Sequence, residues 1–286
     1  MIPEHLAQYD FRTNLIADPH NPVLIQKAWR DHFAGESLWK PGKDGGKAYL
    51  GVANSEDAMT WNVFRSLQIE GPRGLQVVSE VLGLSAVESV LFWGCDVEKH
   101  SEIQQLLSIL IRTVDGQLRG TMTEPDLVLV TEGEVAFVEC KLNLNGGQSP
   151  WKAQTNRSNG KESGAMRRMR SYAKVSGFVE LESLKDWEDT YQLIRQYVYA
   201  TRMADALRKQ PVVVPVINGE HAGILKTFYS LVQDSPLNQG GVFRNLATWQ
   251  DFSAKVACAQ LACTARLITK MIESLDSSRE KGRTRQ

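Results

Sequence analysis

TEPDLVLVTEGEVAFVECKL, Thr123 to Leu142, contains two short apolar runs, Asp126 to Thr131 and Val135 to Leu142, around the turn Thr131-Glu132-Gly133-Glu134. Runs of this length on either side of a glycine predict a β-hairpin. Side chains alternate along an extended chain, so Val135, Phe137, Glu139 and Lys141 point one way while Ala136, Val138, Cys140 and Leu142 point the other. Pro125, which has no N–H for a ladder, suits the start of a strand, and Asp126 follows it at once. Closing the hairpin brings Asp126 within reach of Glu139. Two carboxylates and an ammonium then share one wall.

Charged groups on a strand of Val, Leu and Phe are costly to bury unless they are paired or bind a metal. Hard divalent cations such as Mg²⁺ take oxygen ligands, commonly one or two carboxylates with phosphate oxygens and water. An ammonium beside them can orient a nucleophilic water and balance charge on phosphorus. The set therefore has the chemistry of metal-assisted phosphodiester hydrolysis. The bland alternative is a hairpin in which Asp126 caps a turn and Glu139 pairs with Lys141 on a solvated face.

Pro125-Asp126, a spacer and Glu139-Cys140-Lys141 resemble the PD-(D/E)xK signature of restriction-endonuclease-like nucleases. The resemblance implies that Asp126 and Glu139 hold Mg²⁺, for which Mn²⁺ can substitute, and that Lys141 positions the attacking water. It makes Cys140 a packing residue on the opposite face. It also implies a mixed central sheet with an αβββαβ core flanked by helices, in an α/β fold.

Composition sets bounds on the partners. The 286 residues carry 33 Lys plus Arg and 33 Asp plus Glu, so no global field attracts a polyanion and any nucleic-acid site must rest on local charge segregation. A hydrophobic fraction of 42% is ample for a core. Cys95, Cys140, Cys258 and Cys263 show no zinc spacing and read as reduced, packed thiols. The opening MIPEHLAQYDFRTN lacks the basic start and apolar run of a signal peptide, and no run approaches membrane-spanning length. A cytoplasmic protein without a membrane partner is expected.

The rest of the chain is read around the hairpin, with residues 1–50 as an N-terminal helical extension, 51–220 as the nuclease core and 221–286 as a C-terminal helical extension with a basic tail. Asn21-Pro22 suits a helix start, and Leu24, Ile25, Ala28, Trp29 and Phe33 follow at helical spacing. Residues 40–47 form a basic, glycine-rich loop without a phosphate-loop pattern. In EDAMTWNVFRSLQ, Met59, Val63, Phe64 and Leu67 make an apolar stripe, with Trp61 and Arg65 as packing and surface residues. Glu56 and Asp57 suit the helix dipole of its first turn. The resemblance offers Glu56 a second use, as a third acidic group completing the metal shell.

A helix over 74–84, a strand over 89–94 and a helix over 101–114 precede the hairpin. After it, Lys152, Arg157, Lys161, Arg167, Arg168 and Arg170 accumulate with Trp151 and Tyr172 interleaved, a pattern that suits backbone contacts and base stacking on DNA. A solvated helix face is the alternative. The resemblance makes Gln154 a possible lining residue of the site, and a surface Gln is the other reading.

A long helix over 187–208 is similar to the QxxxY helix of the RecB-like branch, although Gln192 to Tyr197 is one residue too long. Tyr191, Ile194 and Val198 read as core, and Gln192 and Arg195 as facing substrate. A buried strand over 211–218 follows, in which Pro215 argues for an edge or an end. Residues 221–233 read as a helix, 242–249 as a strand or loop, and 251–275 as one final helix that could cover the sheet or form a homodimer contact. The expected function is Mg²⁺-dependent hydrolysis of DNA in restriction, defence or repair. The alternatives are an inactive nucleic-acid-binding module with the same fold, and a nuclease acting on RNA.

Overall fold

The structure is a computed structural model. It describes residues 17–18, 21–24, 26–27, 56–98, 101–115, 124–142, 168–169, 171–172, 187–219, 238, 241–261, 264–265, 268–269 and 272. The chain divides into two units, a helical one of Met1–Val81 with Trp249–Gln286 and a sheet unit of Leu82–Thr248. Helices α1 (Glu56–Ile69) and most of α2 (Pro72–Leu82) thus group with α5 (Trp249–Cys258). Among the described residues no helix is long and apolar enough to cross a membrane.

In the helical unit, Met59, Val63, Phe64 and Leu67 are buried as their spacing predicts. Phe64 meets Phe252 of α5 edge to face with ring centroids 5.1 Å apart. Asn21 caps the first helical turn through its side-chain oxygen, which accepts from Val23 N–H at 3.0 Å. Arg65 is not a surface residue: its side chain is 13% exposed and lies 2.8 Å from Asp18. Gly74 is required by close approach, since a Cβ there would stand 1.9 Å from the carbonyl oxygen of Leu67. The helix expected over 251–275 is interrupted. Gln260 takes a left-handed φ of 56°, and Leu261 N–H and Gln260 N–H donate back to Val256 O and Ala257 O, a Schellman cap made without glycine.

In the sheet unit, β1 (Val87–Phe92) and β2 (Cys95–Asp96) precede α3 (Glu102–Asp115). The hairpin β3 (Leu127–Thr131) and β4 (Glu134–Cys140) is followed by α4 (Trp187–Leu207), β5 (Gln210–Ile217) and β6 (Ala247–Thr248). The sheet runs β2-β1-β3-β4-β5-β6, antiparallel from β2 to β4 and parallel from β4 to β6. This is the mixed sheet flanked by helices that the hairpin motif implies, with α3 inserted before the hairpin. Every residue of β3 and β4 is buried, as expected of strands covered on both faces.

The register aligns Leu91, Val128, Phe137 and Val213 in one row across four strands. That row lies in the main core with Leu107 and Ile111 of α3 and Val198 and Tyr199 of α4. Pro215 is neither at the sheet edge nor at the strand end, yet its missing N–H is harmless. Val216 O accepts from Lys141 N–H toward β4, whereas Val213 pairs toward residues 242–244, so the alternation turns Pro215 toward the interrupted β6 side. The strand expected over 89–94 ends at Phe92, because Trp93 and Gly94, at φ 49° and 80°, make the two-residue turn into β2.

Candidate active site

One pleat beyond the Phe137 row, the same sheet face turns from apolar to acidic. Leu127 pairs with Val138, so continuing the register by one residue sets Asp126 opposite Glu139, whose other neighbour is Pro215. Directly opposed residues present their side chains to the same face. Asp126 is fixed from two sides: Oδ2 accepts from Cys140 N–H at 2.8 Å, and its carbonyl accepts from Trp93 N–H at 3.2 Å. Cys140 itself is buried on the far face, as alternation requires.

Glu139 is 1% exposed and surrounded by donors. Lys141 Nζ lies 3.0 Å from Oε1. Gln196 Nε2 donates to Oε2 at 2.5 Å, and Arg195 Nη2 lies 3.5 Å from the same oxygen. The pairing of Glu139 with Lys141 foreseen in the bland alternative is present, but on a face covered by α4 rather than a solvated one.

Helix geometry accounts for the α4 residues at this place. Tyr199 lies against Phe137, with ring centroids 6.2 Å apart. A helix between parallel strands runs back along them, and one turn of about 5.4 Å roughly matches two strand residues. Arg195 and Gln196, one turn before Tyr199, therefore meet Glu139, two residues after Phe137.

The electrostatics follow from this packing. Burial alone would raise the Glu139 pKa, but the Lys141 and Arg195 charges and the Gln196 amide outweigh it and hold the carboxyl below its ordinary value. Burial disfavours the Arg195 cation, yet Glu139, the Tyr172 and Tyr199 phenols and Asp126 hold its guanidinium above the usual value. Gln192 Oε1, Arg195 Nε and Gln196 Oε1 are buried without a partner among the described residues. Such atoms are rare in native proteins and gather where a ligand or water completes the network.

Glu56 opens α1 in the helical unit and is half-buried. Among the described residues no group of three His, Cys, Asp or Glu gathers to hold a metal. Arg168 is half-buried near Tyr191, Tyr172 and Asp115. Lys152, Gln154, Arg157, Lys161, Arg167 and Arg170 lie outside the described residues, as do Trp151, Cys263, the 40–47 loop, the 221–233 helix and the basic tail. Tyr172 does not serve as a stacking platform: it is fully buried and donates to Asp115 at 3.0 Å. Cys258 is exposed rather than packed, and no disulfide joins Cys95, Cys140 and Cys258 to one another.

Two residues escaped the sequence reading. Gln196 shares a stripe with Tyr199, Ala200 and Met203, all buried, so a polar residue at the head of an apolar stripe was the available signal. Asp115, just past the helix expected over 101–114, is 3% exposed and also accepts from Tyr199 at 2.5 Å.

A comparison with protein families matches residues 12–271 to the family described as Restriction Endonuclease associating with ARP. No curated protein and no solved structure matches the chain. The acidic hairpin end, the mixed sheet and a match over most of the chain lead to one assignment: the chain belongs to the Restriction Endonuclease associating with ARP family, within the restriction-endonuclease-like nucleases.

Proposed function

We propose that the chain is a Mg²⁺-dependent nuclease that hydrolyses phosphodiester bonds of DNA. The observation that carries this reading is the placement of Asp126 opposite Glu139, with the Lys141 ammonium 3.0 Å from the Glu139 carboxylate. Two carboxylates on one row fit a hard cation that takes its other ligands from water and phosphate. Mn²⁺ would fit the same oxygens, and Glu56 is the candidate for a further ligand. When bound, such a cation lowers the pKa of its water and offsets charge on the phosphoryl oxygens.

The protein's own groups supply the rest. Lys141 orients the attacking water and donates toward the developing negative charge, Glu139 holds Lys141, and the Cys140 N–H fixes Asp126. Arg168 and the basic run from Lys152 to Arg170 are the candidates for backbone contacts to DNA. A cytoplasmic location belongs to the same reading. The presence of all three motif residues favours an enzyme over an inactive binding module.

The test is nicking of supercoiled plasmid by the full chain with Mg²⁺. Conversion to open circle is expected, with loss on chelation or on Asp126→Ala. A well-folded protein that leaves plasmid intact but cleaves single-stranded RNA would move the substrate to RNA. One that cuts neither nucleic acid would leave only a binding role.

A further inference from the structure

The cations around Glu139 exceed what the proposed water-positioning role needs. Lys141 already provides an ammonium, yet Arg195 brings a second permanent charge to the same carboxylate while only 4% exposed. Counted formally, Asp126 and Glu139 are balanced by Lys141 and Arg195, so these four groups offer an entering divalent cation no net attraction. In a poorly screened interior that balance weighs heavily.

The hydrogen bonds point the same way. A carboxylate has about four lone-pair directions, and three of those of Glu139 already face Lys141, Gln196 and Arg195, both on Oε2 being taken. The Arg195 contact is the longest of the three at 3.5 Å, and its Nε lacks a partner among the described residues. A guanidinium is matched in shape and charge to a phosphate. Being buried, it cannot leave Glu139 for solvent and needs another anion to turn to.

We propose that Arg195 is a positioning residue that couples metal loading to substrate: it screens Glu139 until a nucleic-acid phosphate draws its guanidinium away and frees Oε2 for the cation. The inference rests on the nuclease reading above. It makes the phosphodiester itself part of what assembles the metal site.

The experiment is a Mn²⁺ titration of the full chain, reading free Mn²⁺ by electron paramagnetic resonance without and with a hydrolysis-resistant phosphorothioate duplex, the duplex-alone titration being subtracted. Wild type is expected to bind Mn²⁺ at least about tenfold more tightly with the duplex. Arg195→Met should bind more tightly than wild type without duplex and gain clearly less from it. Arg195→Lys, which keeps the charge, should retain the coupling. Equal wild-type affinity in the two conditions overturns the inference, and that measurement needs no variant to fold. Coupling of wild-type size in a folded Arg195→Met protein overturns it too. A wild type that binds no Mn²⁺ in either condition instead sinks the nuclease reading and carries this inference down with it.

Discussion

Asp115 and Glu139 are two buried acids served by the same helix, and they are answered in opposite ways. Asp115 accepts from the hydroxyls of Tyr172 and Tyr199, at 3.0 and 2.5 Å, so both oxygens are met by neutral donors anchored in the core. One turn earlier on α4, Glu139 is met by Lys141, Arg195 and Gln196, and both Arg195 and Gln196 retain buried atoms without a described partner. The first network closes on both oxygens of Asp115 and joins α3, α4 and Tyr172. The second has unused donors and acceptors. On the proposed reading, then, the site differs from other buried carboxylates not by burial but by surplus cations with unsatisfied polar atoms beside them.

Substitutions can break that contrast. The largest effect is expected on turnover: Lys141→Ala or Glu139→Gln should lower Mg²⁺-dependent plasmid nicking by about 10²–10³-fold, as for loss of one preorganised electrostatic group. Asp115→Asn should leave nicking at the wild-type level. If both acids affect turnover equally, the distinction between closed and open networks fails. Stability should show the reverse order. Asp115→Ala removes a shared acceptor from two buried phenols, at about 1–3 kcal/mol each, measurable as a shift in the urea midpoint.

Titration sharpens the comparison at opposite ends of the pH scale. Burial, followed by the neighbouring phenols and Asp115, raises Tyr172, and burial with Asp115 raises Tyr199. Groups raised in the folded state contribute stability that is whole below their unfolded pKa, about 10 for Tyr, and lost as pH rises beyond it. Tyr172→Phe should flatten that alkaline loss in pH-dependent urea unfolding. Glu139 is lowered, so its contribution is present above its unfolded pKa of about 4.3 and lost as pH falls below it. Glu139→Gln should remove part of the acid limb and leave the alkaline one intact. The smallest effect belongs to Gln196→Ala, which removes one donor from Glu139 Oε2 and should cost about tenfold in nicking rate, on the order of one charge-assisted hydrogen bond.

The hairpin was legible because several local signals agree there: alternation, a proline before the first strand and a glycine in the turn. Asp126, Glu139 and Lys141 follow from that pattern alone, since face and neighbour are set by a period of two. The α4 contribution was half legible. Arg195 was singled out and Gln196 was not, because which face of a long helix meets the sheet depends on packing. The actual stripe shows only when Gln196 is grouped with Tyr199, Ala200 and Met203. Asp115 could not be read, as its partners come from residues 57 and 84 positions away. The stop at Gln260 escaped because its helix is closed by a left-handed residue other than glycine. Two-residue β6 is too short to carry a periodicity.

The most direct test of the proposed chemistry is anomalous diffraction from a crystal of the full chain with a phosphorothioate duplex, soaked in Mn²⁺. The expected result is a Mn²⁺ peak shared by the carboxylates of Asp126 and Glu139, with the Lys141 ammonium beside it and Arg195 turned to a phosphate oxygen. A duplex-bound crystal whose Mn²⁺ lies away from both carboxylates, with Glu139 still enclosed by Lys141, Arg195 and Gln196, would contradict it.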